Sequence, residues 1–247
     1  GRVSVDRVNA YRLHYGPRVQ RAPVLHPLKI EQDQDRIEVD TGPLRFSVRK
    51  RGFSFLDSAT LNGEPVIDGS RITLTDEHGT IYEAAGDRDS QVVIEEAGPL
   101  RAVIAAQGWF VPVGQQAGKC RTGKYTVRIH AYRGESFLRV FHTFVVTTPT
   151  KTLRYQNIAL ESHLTRAGRA LFGIAGAPPV PASESHAYLV QESHERLRIA
   201  EVRDGREAEL AIARQSAGWV QSGSVGVAVR DIWQNFPKEL EVENQTI

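Results

Sequence analysis

Turn-forming residues recur about every ten positions along this chain of 247 residues, and this spacing most limits what the chain can fold into. Asn62-Gly63 and residues 76–79 (DEHG) and 95–99 (EEAGP) are examples. Between the turns lie short stretches in which apolar and polar residues alternate, as in residues 44–49 (LRFSVR). Alternation with a period of two is typical of a half-buried strand, and Asn-Gly favours a two-residue hairpin turn. The pattern predicts an all-β protein, namely a large antiparallel β-sandwich.

Helical patterns are scarce in this sequence. No segment shows the long, capped periodicity of 3.6 residues that predicts a helix. Residues 207–214 have helical propensity, but the strand-like stretches around them favour a strand. We therefore expect little α-helix.

Three parts can be distinguished along the chain. Residues 1–15 end in a strand-like stretch and are expected to close a preceding domain, and residues 16–35, punctuated by prolines, are expected to be a linker. Residues 36–247 then form the β-sandwich. The chain contains no Met, and residues 239–243 (ELEVE) alternate like a strand near its other end. We therefore expect the chain to be a fragment of a larger, multidomain protein.

Composition and motifs exclude several classes of function. The net charge is +2 and no block of Lys and Arg stands out, which argues against a nucleic-acid partner. No apolar run reaches the roughly 20 residues that span a bilayer. The single cysteine, Cys120, excludes an internal disulfide. No phosphate-binding loop and no metal-ligand spacing among the histidines is present, so we expect neither a cofactor nor a metal ion.

The best-defined unit is a hairpin formed by residues 125–132 and 137–146 around the connection 133–136 (RGES). A four-residue connection fixes the register, so His130 is predicted to face Arg139. Residues that face each other directly lie on the same side of a sheet. One side is therefore predicted to carry a polar set: Thr126, Arg128, His130, Arg139 and Thr143, with Tyr132, Phe137 and Phe141 among them. The other side is predicted to face the core: Val127, Ile129, Leu138, Val140, His142 and Phe144.

The polar side of this hairpin has two interpretations. Arg128, His130 and Arg139 can simply line a solvated sheet face, or they can bind an acidic sugar, because a guanidinium matches a carboxylate bidentately. His142, on the apolar side, is interpreted as a hydrogen-bonded core histidine rather than as a ligand.

Two other pairs of residues bear on possible chemistry. Asp231 close to Trp233 is a reasonable sugar-contact pair, since an indole can stack on a pyranose ring, although a residue such as Trp233 is more often a core aromatic than a sugar platform. Glu95 and Glu96 are adjacent, so on a regular strand they would point to opposite faces and could not form an acid/base pair.

Several short stretches together resemble the exo-rhamnogalacturonan lyase family, the PcRGLX/YetA-like polysaccharide lyases. The stretches are residues 39–46 (VDTGPLRF), 97–101 (AGPLR), 128–132 (RIHAY), 139–143 (RVFHT) and 227–240 (VAVRDIWQNFPKEL). Their order and spacing over about residues 36–243 carry the resemblance.

The resemblance implies a specific architecture. Members of that family look like three-part proteins, with an N-terminal barrel, a central β-sandwich and a C-terminal α/α toroid. Residues 1–15 would then be the end of the barrel and residues 36–247 the central sandwich, with the toroid missing from this chain. The barrel and the toroid would be its intramolecular partners.

The resemblance also implies a function. The parent protein would be a secreted or envelope-associated bacterial lyase that cleaves the galacturonate–rhamnose backbone of pectin by β-elimination. That reaction needs a cation at the uronate carboxylate, a base for the C5 proton and an acid for the leaving oxygen. The family does not tell us which residues of this chain would be catalytic, and we expect the isolated chain to be inactive.

Two hypotheses therefore remain for this chain. In the first, Arg128, His130 and Arg139 contribute to a substrate cleft shared with the toroid, and Asp231 and Trp233 contact sugar as well. In the second, the sandwich is a non-catalytic carbohydrate-binding or scaffold domain. A third option is a surface adhesin or another non-enzymatic β-sandwich.

Overall fold

The computed structural model describes residue 12 and residues 14–20, 23–114 and 120–247. Most of the predicted barrel end, residues 1–15, therefore lies outside the described residues. Within the described part the secondary structure is almost entirely antiparallel β-strand, with one short 3-10 helix, Ala84–Gly86. The predicted fold class, an antiparallel β-sandwich, is confirmed, and no helix among these residues is long and apolar enough to cross a bilayer.

The first eleven strands form one sheet that folds over on itself. They are β1 (Lys29–Gln32), β2 (Arg36–Asp40), β3 (Leu44–Arg49), β4 (Ser58–Leu61), β5 (Glu64–Asp76), β6 (Ile81–Glu83), β7 (Gln91–Ala97), β8 (Arg101–Pro112), β9 (Thr122–Tyr132), β10 (Leu138–Val145) and β11 (Tyr155–Leu164). The strand order is β1-β2-β3-β4-β5-β6-β8-β9-β10, with β11 paired to β5 and β7 paired to β8.

The remaining strands form two sheets of four strands each. They are β12 (Leu171–Ile174), β13 (Val180–Pro181), β14 (His186–Ser193), β15 (Arg196–Arg203), β16 (Arg206–Ala213), β17 (Ser216–Ser222), β18 (Val225–Ala228) and β19 (Lys238–Glu243). The orders are β13-β12-β17-β18 and β16-β15-β14-β19. Strand β16 covers most of the segment with helical propensity, so the strand prediction there is confirmed.

Two hydrophobic cores lie within the stretch that the sequence pattern treats as one sandwich. The first core takes residues from β2, β3 and β5 on one side and from β8 and β9 on the other, as two packed layers require. The second core begins at Leu164 and draws on both four-stranded sheets. Ile67 packs against both cores, and backbone hydrogen bonds link Ser162 to Ile247 in both directions. The two sandwiches are therefore joined along β11.

The predicted linker contains the first strand. Leu28 is buried in the first core, and β1 pairs with β2 in the register Lys29↔Asp40. The proline-punctuated part ends at Pro27, and alternation starts immediately after it. The first sandwich thus begins at about residue 28.

The Asn62-Gly63 turn has the geometry that its sequence demands. Asn62 and Gly63 both have positive φ, 51° and 87°, and connect β4 to β5. Positive φ at both central positions is the condition for the hairpin turn that Asn-Gly favours.

Candidate functional site

The hairpin of β9 and β10 has the predicted register. His130 faces Arg139, Arg128 faces Phe141 and Thr126 faces Thr143. The core side is also as predicted, since Val127 and Ile129 are buried in the first core. Arg128, His130 and Arg139 therefore lie together on the outward side of the sheet formed by β7, β8, β9 and β10. We call this side the outer face.

Arg128 is held by a carboxylate from the opposite edge of the same sheet. Its Nε and Nη2 donate to Glu95 Oε2 and Oε1 at 2.8 and 3.0 Å. This bidentate pair crosses β8, where the residue beneath it is the small Ala105. The Arg128 guanidinium holds the pKa of the Glu95 carboxyl below its usual range, so Glu95 is ionised at neutral pH.

A second pair of the same kind lies next to the first. Arg101 forms an ion pair with Glu96, and this contact holds the pKa of the Glu96 carboxyl below its usual range. Arg101 itself faces Tyr132 across the β8–β9 ladder. Two of the guanidiniums on the outer face, those of Arg101 and Arg128, are thus neutralised within the chain.

The interpretation that Glu95 and Glu96 point to opposite faces is wrong. The β7–β8 register shifts between Ile94 and Glu96, which marks a β-bulge. A bulge opposes two residues of one strand to a single residue of the other and breaks the alternation of side chains. Both carboxylates therefore reach arginines of the outer face. The alternation of apolar and polar residues in the sequence does not predict that both glutamates reach the same face.

Arg139 differs from the other two arginines. Among the residues that the structure describes, no carboxylate forms an ion pair with it. Its guanidinium carbon lies 6.0 Å from the centroid of the Phe141 ring, within reach of a cation–π attraction. Among Arg101, Arg128 and Arg139, it is therefore Arg139 whose guanidinium is available to a carboxylate from outside.

His130 lies between the two ion pairs. Partial burial lowers the pKa of its imidazole, and the nearby positive charges of Arg101 and Arg139 act in the same direction, while Glu95 and Glu96 oppose them. The imidazole is therefore mostly neutral at neutral pH. Its Nδ1 is buried without a hydrogen-bond partner in the described part of the chain, and its ring packs edge-on against Phe141 at 5.1 Å.

Aromatic surface accompanies these charges. The side chains of Phe137 and Phe141 are about half exposed, at 52% and 50%. Phe137 packs against Tyr132 with a centroid distance of 5.8 Å. The outer face thus offers flat apolar rings next to a free guanidinium, a combination that suits a sugar ring carrying a carboxylate.

His142 lies on the core side of β10, as predicted, but it is not the hydrogen-bonded histidine that the sequence suggested. Its Nε2 is buried and has no partner among the described residues. Burial lowers the pKa of the imidazole, so the ring is accommodated in its neutral form.

The structure does not bring Asp231 and Trp233 to this hairpin. Both lie in the loop between β18 and β19, and Trp233 packs against the second core. Asp231 is exposed, with φ of 53° and an ion pair to Arg230 at 3.3 Å. The predicted sugar contacts thus fall on two different sandwiches.

The described residues hold no group of three or more His, Cys, Asp or Glu side chains that is arranged to bind a metal ion. The charges of the outer face are instead organised as guanidinium–carboxylate pairs around one imidazole.

This is an antiparallel β-sandwich with an Arg/His face on its outer sheet, and a protein-family comparison agrees with that class. The model of the PcRGLX-like protein central β-sandwich domain matches residues 28–165. The chain belongs to this family. The matched range coincides with the first sandwich and contains the whole outer face, whereas Asp231 and Trp233 lie beyond it.

The chain is also similar to a curated protein. The chain is 23% identical over 185 residues to the uncharacterized protein YetA of Bacillus subtilis (strain 168). The alignment covers 70% of this chain and 21% of YetA. The chain thus spans about a fifth of the length of this relative.

Proposed function

We propose that this chain is the part of a polysaccharide lyase-like protein that holds a uronate-containing backbone, rhamnogalacturonan or a related polymer, while the polymer is cleaved by β-elimination. The proposal places the parent protein outside the cytoplasm, in the envelope or in the medium, where such polymers occur. The family membership supports the class of polymer, and the outer face supports the binding role.

One observation carries the proposal, and it is the state of Arg139. Arg128 and Arg101 are each neutralised by a glutamate, whereas Arg139 has no carboxylate partner in the described residues. A planar guanidinium binds a carboxylate through two parallel hydrogen bonds. The uronate carboxylate of the sugar is the partner that this geometry suits, with the adjacent Phe141 ring as an apolar platform.

The outer face has only part of what β-elimination needs. Arg139 can neutralise the uronate carboxylate, and the neutral imidazole of His130 is suited to accept a proton. The leaving oxygen also needs a proton donor. Glu95 and Glu96 cannot fill that role, because their arginine partners keep both carboxyls ionised. The phenol of Tyr132, on the same side of the hairpin, is a candidate donor. We expect the isolated chain to bind without cleaving, because the geometry around the sugar also needs the other domains of the parent protein.

Replacing Arg139 tests the proposal. We expect Arg139→Ala to weaken binding of a short, unsaturated rhamnogalacturonan oligosaccharide by about tenfold, because a charge-assisted bidentate contact is lost. Arg139→Lys should retain part of the affinity, since lysine keeps the charge but not the planar fork. Isothermal titration calorimetry at low salt is the measurement.

Two controls make the result specific. Arg45, an exposed arginine of β3, forms an ion pair with Asp40 at 2.9 Å. Arg45→Ala should leave the affinity for the acidic oligosaccharide unchanged. A carboxyl-reduced oligosaccharide should bind the unmutated chain and every variant with the same affinity. Equal affinities of the Arg139→Ala variant and the unmutated chain for the acidic oligosaccharide would contradict the proposal.

A second candidate function is a non-catalytic scaffold. Four large apolar side chains on or beside the outer face are about half exposed: Val93, Leu100, Phe137 and Phe141. Exposed apolar surface of this extent also suits a neighbouring protein domain. If the domain is only a scaffold, Arg139→Ala will not change its affinity for the oligosaccharide. The same titration therefore separates the two functions.

A further inference from the structure

A second group of cations lies on the outer face, toward the other end of β9. Trp109 faces Lys124 across the β8–β9 ladder. The Lys124 ammonium lies 4.7 Å from the centroid of the Trp109 ring, and the Arg121 guanidinium carbon lies 4.6 Å from it. We call Trp109, Arg121 and Lys124 the indole site.

The two cations of the indole site are poorly neutralised. Arg121 meets Asp89 only at 3.8 Å, and the Asp89 side chain is 86% exposed. Lys124 forms no ion pair with any residue that the structure describes. Both positive charges lie within 5 Å of the centroid of one indole ring, so the distance between them is shorter than the Debye length of about 10 Å at moderate salt. Salt therefore does not fully screen their repulsion. An anion at this position would relieve that repulsion.

The indole site is connected to Arg139 by a hydrogen-bonding surface. Lys124 and His130 are six positions apart on β9, which corresponds to about 20 Å along the strand. Between them one row of the sheet carries short hydroxyls and amides, formed by Gln91, Gln107, Thr126 and Thr143. Gln107 Nε2 donates to Gln91 Oε1 at 2.9 Å, so the amides are already oriented. The row contains no carboxylate.

This arrangement matches a polymer with repeated carboxylates rather than a single sugar. A chain lying along β9 would meet Arg139 at one end, the Arg128–Glu95 ion pair and the row of hydroxyls and amides in the middle, and the indole site at the other end. The indole adds an apolar ring on which a pyranose can stack. Both cationic positions would then bind carboxylates of the same molecule, and the second contact would form at a high effective concentration.

We propose that Trp109, Arg121 and Lys124 form a second anion-binding subsite, and that the outer face binds a long acidic polysaccharide that lies along β9. This inference rests on the proposed function at Arg139 and adds to it the length and direction of the ligand. It predicts an affinity that rises with oligosaccharide length until the ligand spans about 20 Å.

The test compares a short rhamnogalacturonan oligosaccharide, which reaches only Arg139, with one long enough to reach the indole site. The parent chain should bind the long ligand more tightly. The double variant Arg121→Ala, Lys124→Ala should lose about fivefold in affinity for the long ligand, as expected for exposed ionic contacts, and nothing for the short one. Lys29→Ala, an exposed lysine of β1, is the matched control and should change neither affinity. Thermal melting checks that each variant is folded.

The outcomes separate this inference from the proposed function. The second subsite is wrong if the long ligand binds no more tightly than the short one, or if the double variant still binds the long ligand as tightly as the unmutated chain does. In either case, an effect of Arg139→Ala on the short ligand still supports the proposed function. If Arg139→Ala has no effect but the double variant weakens the long ligand, the proposed role of Arg139 is wrong and the anion site at Trp109 stands alone. Absence of binding by both ligands would overturn both.

Discussion

Replacing Phe110 by alanine is expected to destabilise the first sandwich by about 3–5 kcal/mol, the cost of removing a large ring from a close-packed core. The Phe110 side chain is fully buried and packs edge-on against Tyr125 at 5.4 Å and Phe144 at 6.0 Å. These three rings tie β8 to β9 and β10, the strands that carry the outer face. The cavity would therefore form next to Trp109, at the end of β8 that lies away from His130.

Urea denaturation followed by circular dichroism measures this loss. The matched control is Phe137→Ala, because Phe137 directly precedes β10 and its side chain is 52% exposed. That change should alter the free energy of unfolding by no more than about 0.5 kcal/mol. A loss below about 1 kcal/mol for Phe110→Ala would show that the ring does not lie in a close-packed core.

The second large effect is expected at Gly108, where β8 and β9 approach each other closely. A Cβ atom built at this position would lie 2.7 Å from Asp87 Oδ2 and 2.7 Å from Tyr125 Oη. Neither oxygen can move freely, because Asp87 is buried and accepts a hydrogen bond from the Trp109 backbone at 2.7 Å, while Tyr125 stacks on Phe53. We expect Gly108→Ala to cost about 3 kcal/mol, the upper part of the range for an overpacked site.

Gly226→Ala in β18 provides the comparison for this prediction. Its Cβ would find its nearest neighbour, the Val220 carbonyl oxygen, at 3.5 Å, an ordinary contact. The change should be neutral or slightly stabilising, since alanine loses less backbone entropy than glycine on folding. Equal unfolding midpoints in urea for the two variants would contradict the close approach at Gly108.

The register of the β9–β10 hairpin could be predicted from the sequence because the connection of four residues, 133–136, leaves a single pairing compatible with one apolar and one polar face. The predicted positions of Arg128, His130 and Arg139 follow from that pairing. The strand at Arg206–Ala213 could be predicted because its neighbours constrain it more strongly than its own propensity does.

Three features could not be predicted, each for a physical reason. The bulge at Glu95 breaks the period of two, and no residue in that segment marks it in advance. The partner of Arg128 comes from β7, which is separated from β9 by β8, and pattern analysis of single strands does not give strand order. The division into two cores depends on which sheets pack together, and alternation alone does not reveal this. Asp231 and Trp233 were grouped with the arginines for that reason.

The central claim is that the outer face of the first sandwich binds a uronate sugar through Arg139. Nuclear magnetic resonance of the isotope-labelled chain during titration with a rhamnogalacturonan oligosaccharide tests it most directly. With an oligosaccharide too short to reach the indole site, we expect the shifted amide signals to belong to residues 128–141, on β9, β10 and the turn between them, and the signals of residues 229–237 to remain unchanged. Shifts confined to residues 229–237, around Asp231 and Trp233, or a spectrum that does not respond to the oligosaccharide at all, would contradict it.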